Sequence, residues 1–262
     1  MTGAASGKVY LTGAGPGDPD LLTVRAHRLI ATASAVYHDD LVPRSILEIC
    51  HPMAEVVSVG KRCGRKCVTQ DEINRALIAA ARAGKSVVRL KSGDPMLYGR
   101  ASEELAALKR EHIPCEVVPG VSALFGAAAD LRLPLTDRLT ASRLIVLTGH
   151  RAANKKITRL WEGTLPQDAT IAIYMPGSNY RQLAESLLGA GLPGDMPCVI
   201  VSRAGTGEQQ ALPATVATLP AQTALPAPTV VLVGRGCERC FRENAAIPAM
   251  AAEELCVAVS AG

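Results

Sequence analysis

The stretch "GAGPGDPDLLT", residues 13–23, follows the apolar run Val9 to Leu11 and has the outline of a strand running into a nucleotide-binding turn. Its details deny the nucleotide. A dinucleotide fingerprint needs GxGxxG, with bare backbone amides and a helix start facing pyrophosphate. Here Pro16 removes an amide, and Asp18 places a carboxylate at the third glycine position, where it would repel phosphate. The turn is therefore built for close approach by something that is not strongly anionic, and a dinucleotide oxidoreductase is disfavoured.

Working outward, short apolar strands are predicted at 8–13, 35–38, 55–59, 86–91 and 115–118, alternating with helical patterns as far as about residue 131. Within them "TQDEINRALIAAARAG" reads as a helix with Thr69 as its cap and Glu72 closing a capping box. Ile73, Leu77, Ile78 and Ala81 give it one buried face, and Gly84 ends it where a left-handed residue is wanted. "KSVVRLK" then resumes as a buried strand of the parallel kind. From "LPLTDR" onward strands are predicted at 143–148, 169–175, 197–202, about 210–217 and 228–234, with one helix over 178–190. The last strands but one are joined by "RAGTGEQQ", a glycine-containing turn of hairpin type, so this half reads as mixed. The expectation is an α/β chain of two unlike domains, 8–133 with a mostly parallel sheet and 134–242 with a mixed sheet. Ligands commonly settle in the crevice between such domains. Residues 1–7 and 243–262 are expected to be loosely ordered ends, and the chain beyond Gly236 shows no periodicity.

Composition narrows the partners. The chain has 262 residues, 48% hydrophobic and 20% charged, which suits a packed globular protein. Its net charge of +4 comes from 8 lysines and 20 arginines that are scattered, not run together. Arginine's planar fork suits carboxylates, whereas a nucleic-acid surface would call for a stronger basic patch. No apolar stretch is long enough to span a membrane, and the start "MTGAASG" does not read as a signal peptide, so a cytoplasmic protein is expected. Cys63 with Cys67 and Cys237 with Cys240 could together hold zinc, but the spacing across the chain is not that of a zinc module, and no metal is expected.

Polar, glycine-rich loops follow most predicted strands, where open α/β sheets place their ligand-binding groups. In order they are "GAGPGDPDLLT", "DDLV" (39–42), "VGKRCG" (59–64) followed by "CVTQDEIN", "VVRLKSGDPMLYGR", "VPGVSA" (118–123), "LTGH" and "VSRAGT". This ordered set resembles the tetrapyrrole methylases, a class of S-adenosylmethionine-dependent methyltransferases with two α/β domains and the active site in a cleft between them. The resemblance covers residues 8 to about 235. It is strongest to those members that methylate C2 and C7 of uroporphyrinogen III to give precorrin-2, on the way to sirohaem or cobalamin. The donor carries a sulfonium and no phosphate, which agrees with a turn containing Pro16 and Asp18.

The resemblance implies cofactor contacts at Pro16, at Ser92, Gly93 and Asp94, at Leu97, at Ser122 and Ala123, at Met175 and at Gly205. It implies S-adenosylhomocysteine as the spent cofactor, Asp39 as proton acceptor and Lys61 as proton donor. Ser92 stands where the family commonly has glycine, and would cost on the order of 1 kcal/mol if that position required a positive φ. Asp94 precedes proline, so its backbone is biased to extended geometry and its carboxylate is expected to aim outward, with capping of the following turn as its alternative role. Asp40 stands where the family commonly has arginine. Its assignment is a solvated surface charge beside Asp39. The polyacidic substrate calls for bidentate arginines, and Arg62, Arg100, Arg138 and Arg151 lie in or beside the loops. His150 closes a strand, and Asp137 replaces a family histidine, so no substrate contact is carried to it.

A homodimer is expected from the resemblance. At this length no fused dehydrogenase or ferrochelatase module is expected. The rival readings are a later precorrin methyltransferase, a diphthine synthase or an rRNA ribose methyltransferase of the same fold, against which "VGKRCG" with "CVTQDEIN" speaks, and a catalytically silent cofactor or tetrapyrrole sensor.

Overall fold

A computed structural model describes residues 7–60, 68–149 and 160–244. The chain divides into two compact units, one running to Asp130 and taking in Ser202–Gln210, the other built from Leu131–Val201 and the chain from Ala211 onward. Ser202–Gln210 falls within the second half as the sequence divides it, but packing groups it with the first. The reason is a close fit: a Cβ on Gly205 would lie 2.5 Å from Cγ of Pro16, so this segment packs against the first loop.

The first unit is a run of βα steps: β1 (Val9–Gly13), α1 (Val24–Thr32), β2 (Ala35–His38), α2 (Arg44–Leu47), β3 (Glu55–Ser58), α3 (Gln70–Arg82), β4 (Val87–Lys91), α4 (Ala101–Arg110), β5 (Cys115–Val118) and α5 (Ala123–Asp130). The five strands lie in the order β3-β2-β4-β1-β5, and every pairing is parallel. All five residues of β4 are buried, as a central parallel strand between two helical layers requires. Val87, with Leu11 and Tyr37, packs under Leu77 of α3 and Leu108 of α4. Val88 and Leu90 face the other way, toward Ile30 of α1 and Ile46 of α2.

The capping box of α3 forms as its sequence indicates. Thr69 Oγ1 accepts from the Glu72 amide at 3.2 Å, and the Glu72 carboxylate accepts from the Thr69 amide at 2.7 Å. Gly84 after the helix has φ +79°.

The second unit contains β6 (Arg143–Thr148), β7 (Ala169–Tyr174), α6 (Tyr180–Gly189), β8 (Pro197–Ser202), β9 (Gln210–Thr215), β10 (Thr229–Val233) and α7 (Glu238–Asn244). Its sheet, ordered β6-β7-β10-β8-β9, is mixed: β6 runs parallel to β7 and β10 antiparallel to it. Ile171, Ile173, Ile200, Val231 and Val233 pack with Leu183 and Leu187 of α6. One expectation needs correction here. The aperiodic chain beyond Gly236 is helical over Glu238–Asn244, with Cys237 and Cys240 buried. Seven residues are under two turns, too few for a period to stand out.

Among the described residues, no helix is long and apolar enough to cross a membrane.

Candidate functional site

The motif-bearing loops of the first unit all leave the carboxyl edge of the parallel sheet, where its strand order places β1 between the later strands β4 and β5. Three glycines let the backbones meet there. A Cβ on Gly13, at the end of β1, would lie 2.6 Å from Cα of Gly120 and 2.6 Å from the carbonyl oxygen of Gly93. One on Gly120 would lie 2.3 Å from that same oxygen. Gly15 and Gly93 exchange two backbone hydrogen bonds, of 3.3 and 2.7 Å, so the β1 and β4 loops continue as a short antiparallel bridge.

Gly93 is also the residue in this turn with a left-handed backbone, at φ +68°. Ser92 is not among the positive-φ residues. Its replacement of glycine therefore carries no conformational cost, because the requirement falls one residue later.

Asp94 takes its alternative role, the cap of its own turn, and adds a second contact. Its carboxylate does not point outward: Oδ1 accepts from the Met96 amide at 2.8 Å and Oδ2 from the Gly120 amide at 3.1 Å. A short side chain before an extended proline reaches its own turn and, across it, the neighbouring loop, so Asp94 clamps the β4 loop to the β5 loop. Leu97 closes the same turn, its amide donating to the Asp94 carbonyl at 3.2 Å. Beyond it Tyr98 and Arg100 both sit at positive φ, +55° and +56°, on either side of Gly99. A Cβ on Gly99 would strike the Pro95 carbonyl at 2.5 Å. Two non-glycine residues held in this sparsely populated region mark a loop whose shape is fixed by its surroundings. Arg100 spends its fork on Glu103, through two hydrogen bonds of 2.7 Å, so holding a substrate carboxylate would require exchanging that partner.

Ser122 is buried at the start of α5, its carbonyl accepting from the Phe125 and Gly126 amides. Ala123 opens the helix, and its amide lies 3.9 Å from the point a Cβ on Gly93 would occupy. Pro16 is buried against Gly126 and Gly205, and Asp18 caps the short turn Pro19–Leu21 by accepting from the Asp20 amide. Pro16, Gly93, Asp94, Ser122, Ala123 and Gly205 thus belong to one interlocked set of loops.

Asp39 follows β2 beside them. The adjacent carboxylates of Asp39 and Asp40 go to different partners. Asp39 Oδ1 is ion-paired with Arg89 Nη2. Asp40 is not a solvated surface charge as expected: it is half-buried, accepts from Ser58 Oγ at 3.2 Å, and packs on Gly60, where a Cβ would lie 2.2 Å from its carboxyl carbon. The chain turns between them, the Val42 amide donating to the Asp39 carbonyl at 3.2 Å, and this separates the two.

Arg89 was not singled out by the sequence, nor were its other partners. It is 2% exposed; Nη1 donates to the carbonyls of Tyr37 and Leu90, and Nε donates to Glu104 Oε1 at 2.9 Å. Glu104, 1% exposed, also accepts from Lys91 Nζ at 3.0 Å on both oxygens. Burial, and next the Arg89 charge, push the Lys91 ammonium below its ordinary pKa, while Glu104 and Asp39 oppose that shift. The signal was present in "VVRLK", where a buried strand carries two cations on one face, and in "ASEELAALKR", where Glu104 shares the buried face of Ala101, Ala107 and Leu108.

Lys61, Arg62, Arg151 and His150 lie outside the described residues, as do Cys63 and Cys67. Arg138 is exposed in a turn tied by Asp137, whose carboxylate accepts from the Leu139 and Thr140 amides at 2.9 and 3.1 Å. Met175, in the second unit, follows β7 at φ +48° and is exposed; a Cβ on Gly149 would lie 2.5 Å from its carbonyl oxygen. Among the described residues, no group of three or more His, Cys, Asp or Glu could hold a metal ion.

Comparison with known proteins places this arrangement. Residues 8–220 match the family model described as tetrapyrrole (corrin/porphyrin) methylases. The chain is 41% identical over 94% of its length to uroporphyrinogen-III C-methyltransferase of Paracoccus denitrificans, of which it covers 86%. It is 42% identical over 88% of its length to siroheme synthase of Gluconobacter oxydans, and spans about half of that longer protein, 49%. Among solved structures, uroporphyrin-III C-methyl transferase of Thermus thermophilus complexed with S-adenyl homocysteine superposes with a TM-score of 0.72 at 34% identity, over 88% of this chain and 93% of that one.

Proposed function

The chain belongs to the tetrapyrrole (corrin/porphyrin) methylase family, and on that premise we propose that it is an S-adenosylmethionine-dependent C-methyltransferase acting on C2 and C7 of uroporphyrinogen III to give precorrin-2. The observation that carries this reading is the overlap of nearly the whole chain with a relative of that activity. The motif loops gathered on one sheet edge supply its local counterpart.

The residues fit the methyl donor. That molecule has no phosphate, and the first loop offers no phosphate cradle: Pro16 lacks an N–H and the Asp18 carboxylate is committed to capping its own turn. The close approach of Gly13, Gly93 and Gly120 presents backbone edges without side chains, as a site that grips a folded nucleoside requires. We assign the holding of the cofactor to the loops of Pro16, Ser92 to Asp94, Leu97, Ser122 with Ala123, Met175 and Gly205. When bound, S-adenosylmethionine supplies a sulfonium-activated methyl group.

The chain's own contribution is alignment and proton handling. Holding two reactants in register can supply roughly 7–11 kcal/mol of the barrier. Once the ring carbon is alkylated a proton must leave the macrocycle, and Asp39 is the proposed acceptor. Its Oδ1 is fixed by Arg89, and Oδ2 makes no hydrogen bond among the described residues, leaving that oxygen for the proton. Lys61 is the proposed donor. Arg62, Arg100, Arg138 and Arg151 are the proposed partners of the substrate carboxylates. A cytoplasmic homodimer completes the reading, and sedimentation of the purified protein tests the dimer.

The experiment that tests the activity is incubation with uroporphyrinogen III and methyl-labelled donor. Two methyl groups per macrocycle are expected. Label on RNA or protein, or no transfer to the tetrapyrrole, would overturn the assignment.

A further inference from the structure

Asp39 is at the rim of its site, with 31% of its side chain exposed, yet the group that orients it is itself oriented from the interior. Arg89 spans the distance. Three of its nitrogens are engaged: Nη2 with Asp39, Nη1 with two strand carbonyls, and Nε with Glu104. A guanidinium is planar, so fixing Nε and Nη1 fixes where Nη2 points. The carbonyls would hold one edge of that plane in any case. Glu104 is the partner that sets the other edge, from α4 across the face of the sheet.

Glu104 also settles the charge. Arg89 and Lys91 are two cations on one face of β4, each about 2% exposed. With Glu104 present, Lys91 is satisfied by both carboxylate oxygens, and Asp39 need answer only to Arg89. Without its charge, Asp39 would be the remaining described carboxylate that acts on both Arg89 and Lys91. Buried charges lacking a full partner reorganise to find one, and the second oxygen of Asp39, which makes no hydrogen bond among the described residues, is open to that exchange.

We propose that Glu104 is a positioning residue for the reaction: acting through Arg89 and by neutralising Lys91, it keeps one oxygen of Asp39 fixed and the other free to take the proton. This rests on the reading of Asp39 as proton acceptor. Gln70, whose Nε2 donates to Glu104 Oε1 at 3.2 Å, completes the setting from α3. The charged and titratable groups described around Asp39 are Arg89 and Lys91 from β4, Glu104 from α4, His38 at the end of β2 and Asp40 in the turn that follows it.

The test is single-turnover methyl transfer with uroporphyrinogen III and labelled donor, together with steady-state kinetics, for Glu104→Gln, Glu104→Asp, Asp39→Asn and the double variant Asp39→Asn/Glu104→Gln. Glu104→Gln is expected to lower kcat by about 10- to 100-fold, the scale set by a displacement of about an ångström, with KM for both substrates within about threefold. Glu104→Asp should recover part of the loss. In the Asp39→Asn background Glu104→Gln should have no further effect. An equal loss from Glu104→Gln in both backgrounds, or a rise in KM with kcat unchanged, overturns the proposal and leaves Glu104 a packing residue. Full turnover by Asp39→Asn is a different result, since it removes the acceptor reading itself. Should Glu104→Gln fail to fold, the charge-balanced Lys91→Met/Glu104→Gln is compared with Lys91→Met in both Asp39 backgrounds, with the same outcomes deciding.

Discussion

Replacing Gly120 by alanine should damage both the fold and the cofactor site, and the structure gives the size of the effect. The added Cβ would sit 2.3 Å from the Gly93 carbonyl oxygen and 2.8 Å from Cα of Gly13, both backbone atoms that no rotamer change can move. Ordinary contact begins at 3.4 Å, so the β5 loop must retreat from the β4 loop by about 1 Å. That retreat lengthens the hydrogen bond from the Gly120 amide to Asp94 Oδ2, now 3.1 Å, out of range. A hydrogen bond to a charged acceptor is worth about 1.5–3 kcal/mol, and overpacking of this kind costs about 1–3 kcal/mol. Because the two losses share one displacement they should not be added. An overall destabilisation of about 2–3 kcal/mol is expected, together with at least a tenfold weaker affinity for S-adenosylhomocysteine, since the displaced loops carry Gly93, Asp94 and Ser122. Titration calorimetry with S-adenosylhomocysteine and thermal melting of the free protein measure the two parts. Wild-type affinity together with an unchanged melting temperature would show that these backbones are not in the contact described, and the account of the site would fall with it.

Ser92→Gly, which restores the residue common in the family, should leave cofactor affinity within about twofold, because the left-handed backbone belongs to Gly93; a tenfold gain by calorimetry would contradict that assignment. Thr69→Ala should cost about 1 kcal/mol by removing the α3 capping box, read as a fall in melting temperature of a few degrees. Burial raises the thiol of Cys198 to about 12 and that of Cys115 to about 11, so alkylation of the folded protein at pH 8 should be slower than for an ordinary thiol by about a thousandfold and a hundredfold respectively. Mass spectrometry of labelled peptides checks this, and rapid native labelling of Cys198 would refute it. The carboxyls of Glu116, Asp137 and Asp168 are held below their ordinary range, by the hydrogen bonds from Lys8, from the Leu139 amide and from Ser142 respectively. Their contribution to stability is complete above the unfolded carboxyl range and is lost as pH falls through their lower folded values, so denaturation midpoints should hold steady down to about pH 5 and decline below pH 4.

The strands, the capped α3 and the loops at the sheet edge were legible because each is encoded locally: an apolar run of five residues, a Thr–Glu pair three apart, and a glycine or proline at a turn state their own geometry. Pro16 and Asp18 excluded a phosphate cradle by composition alone. The helix over Glu238–Asn244 escaped notice because it is too short to establish a period. What the sequence could not state is which distant groups would share a space. The cap Asp94 places on its own turn is local, but its second partner, the Gly120 amide, lies 26 residues away on another loop. Arg89, Glu104 and Lys91 read separately as a strand charge, a helix charge and another strand charge. Only the packing of α4 on the face of β4 removes them from water, and burial turns three ordinary charges into one network ending at Asp39. Local preference is fixed by a residue and its neighbours along the chain, whereas the energy of a buried charge depends on whatever the fold sets beside it.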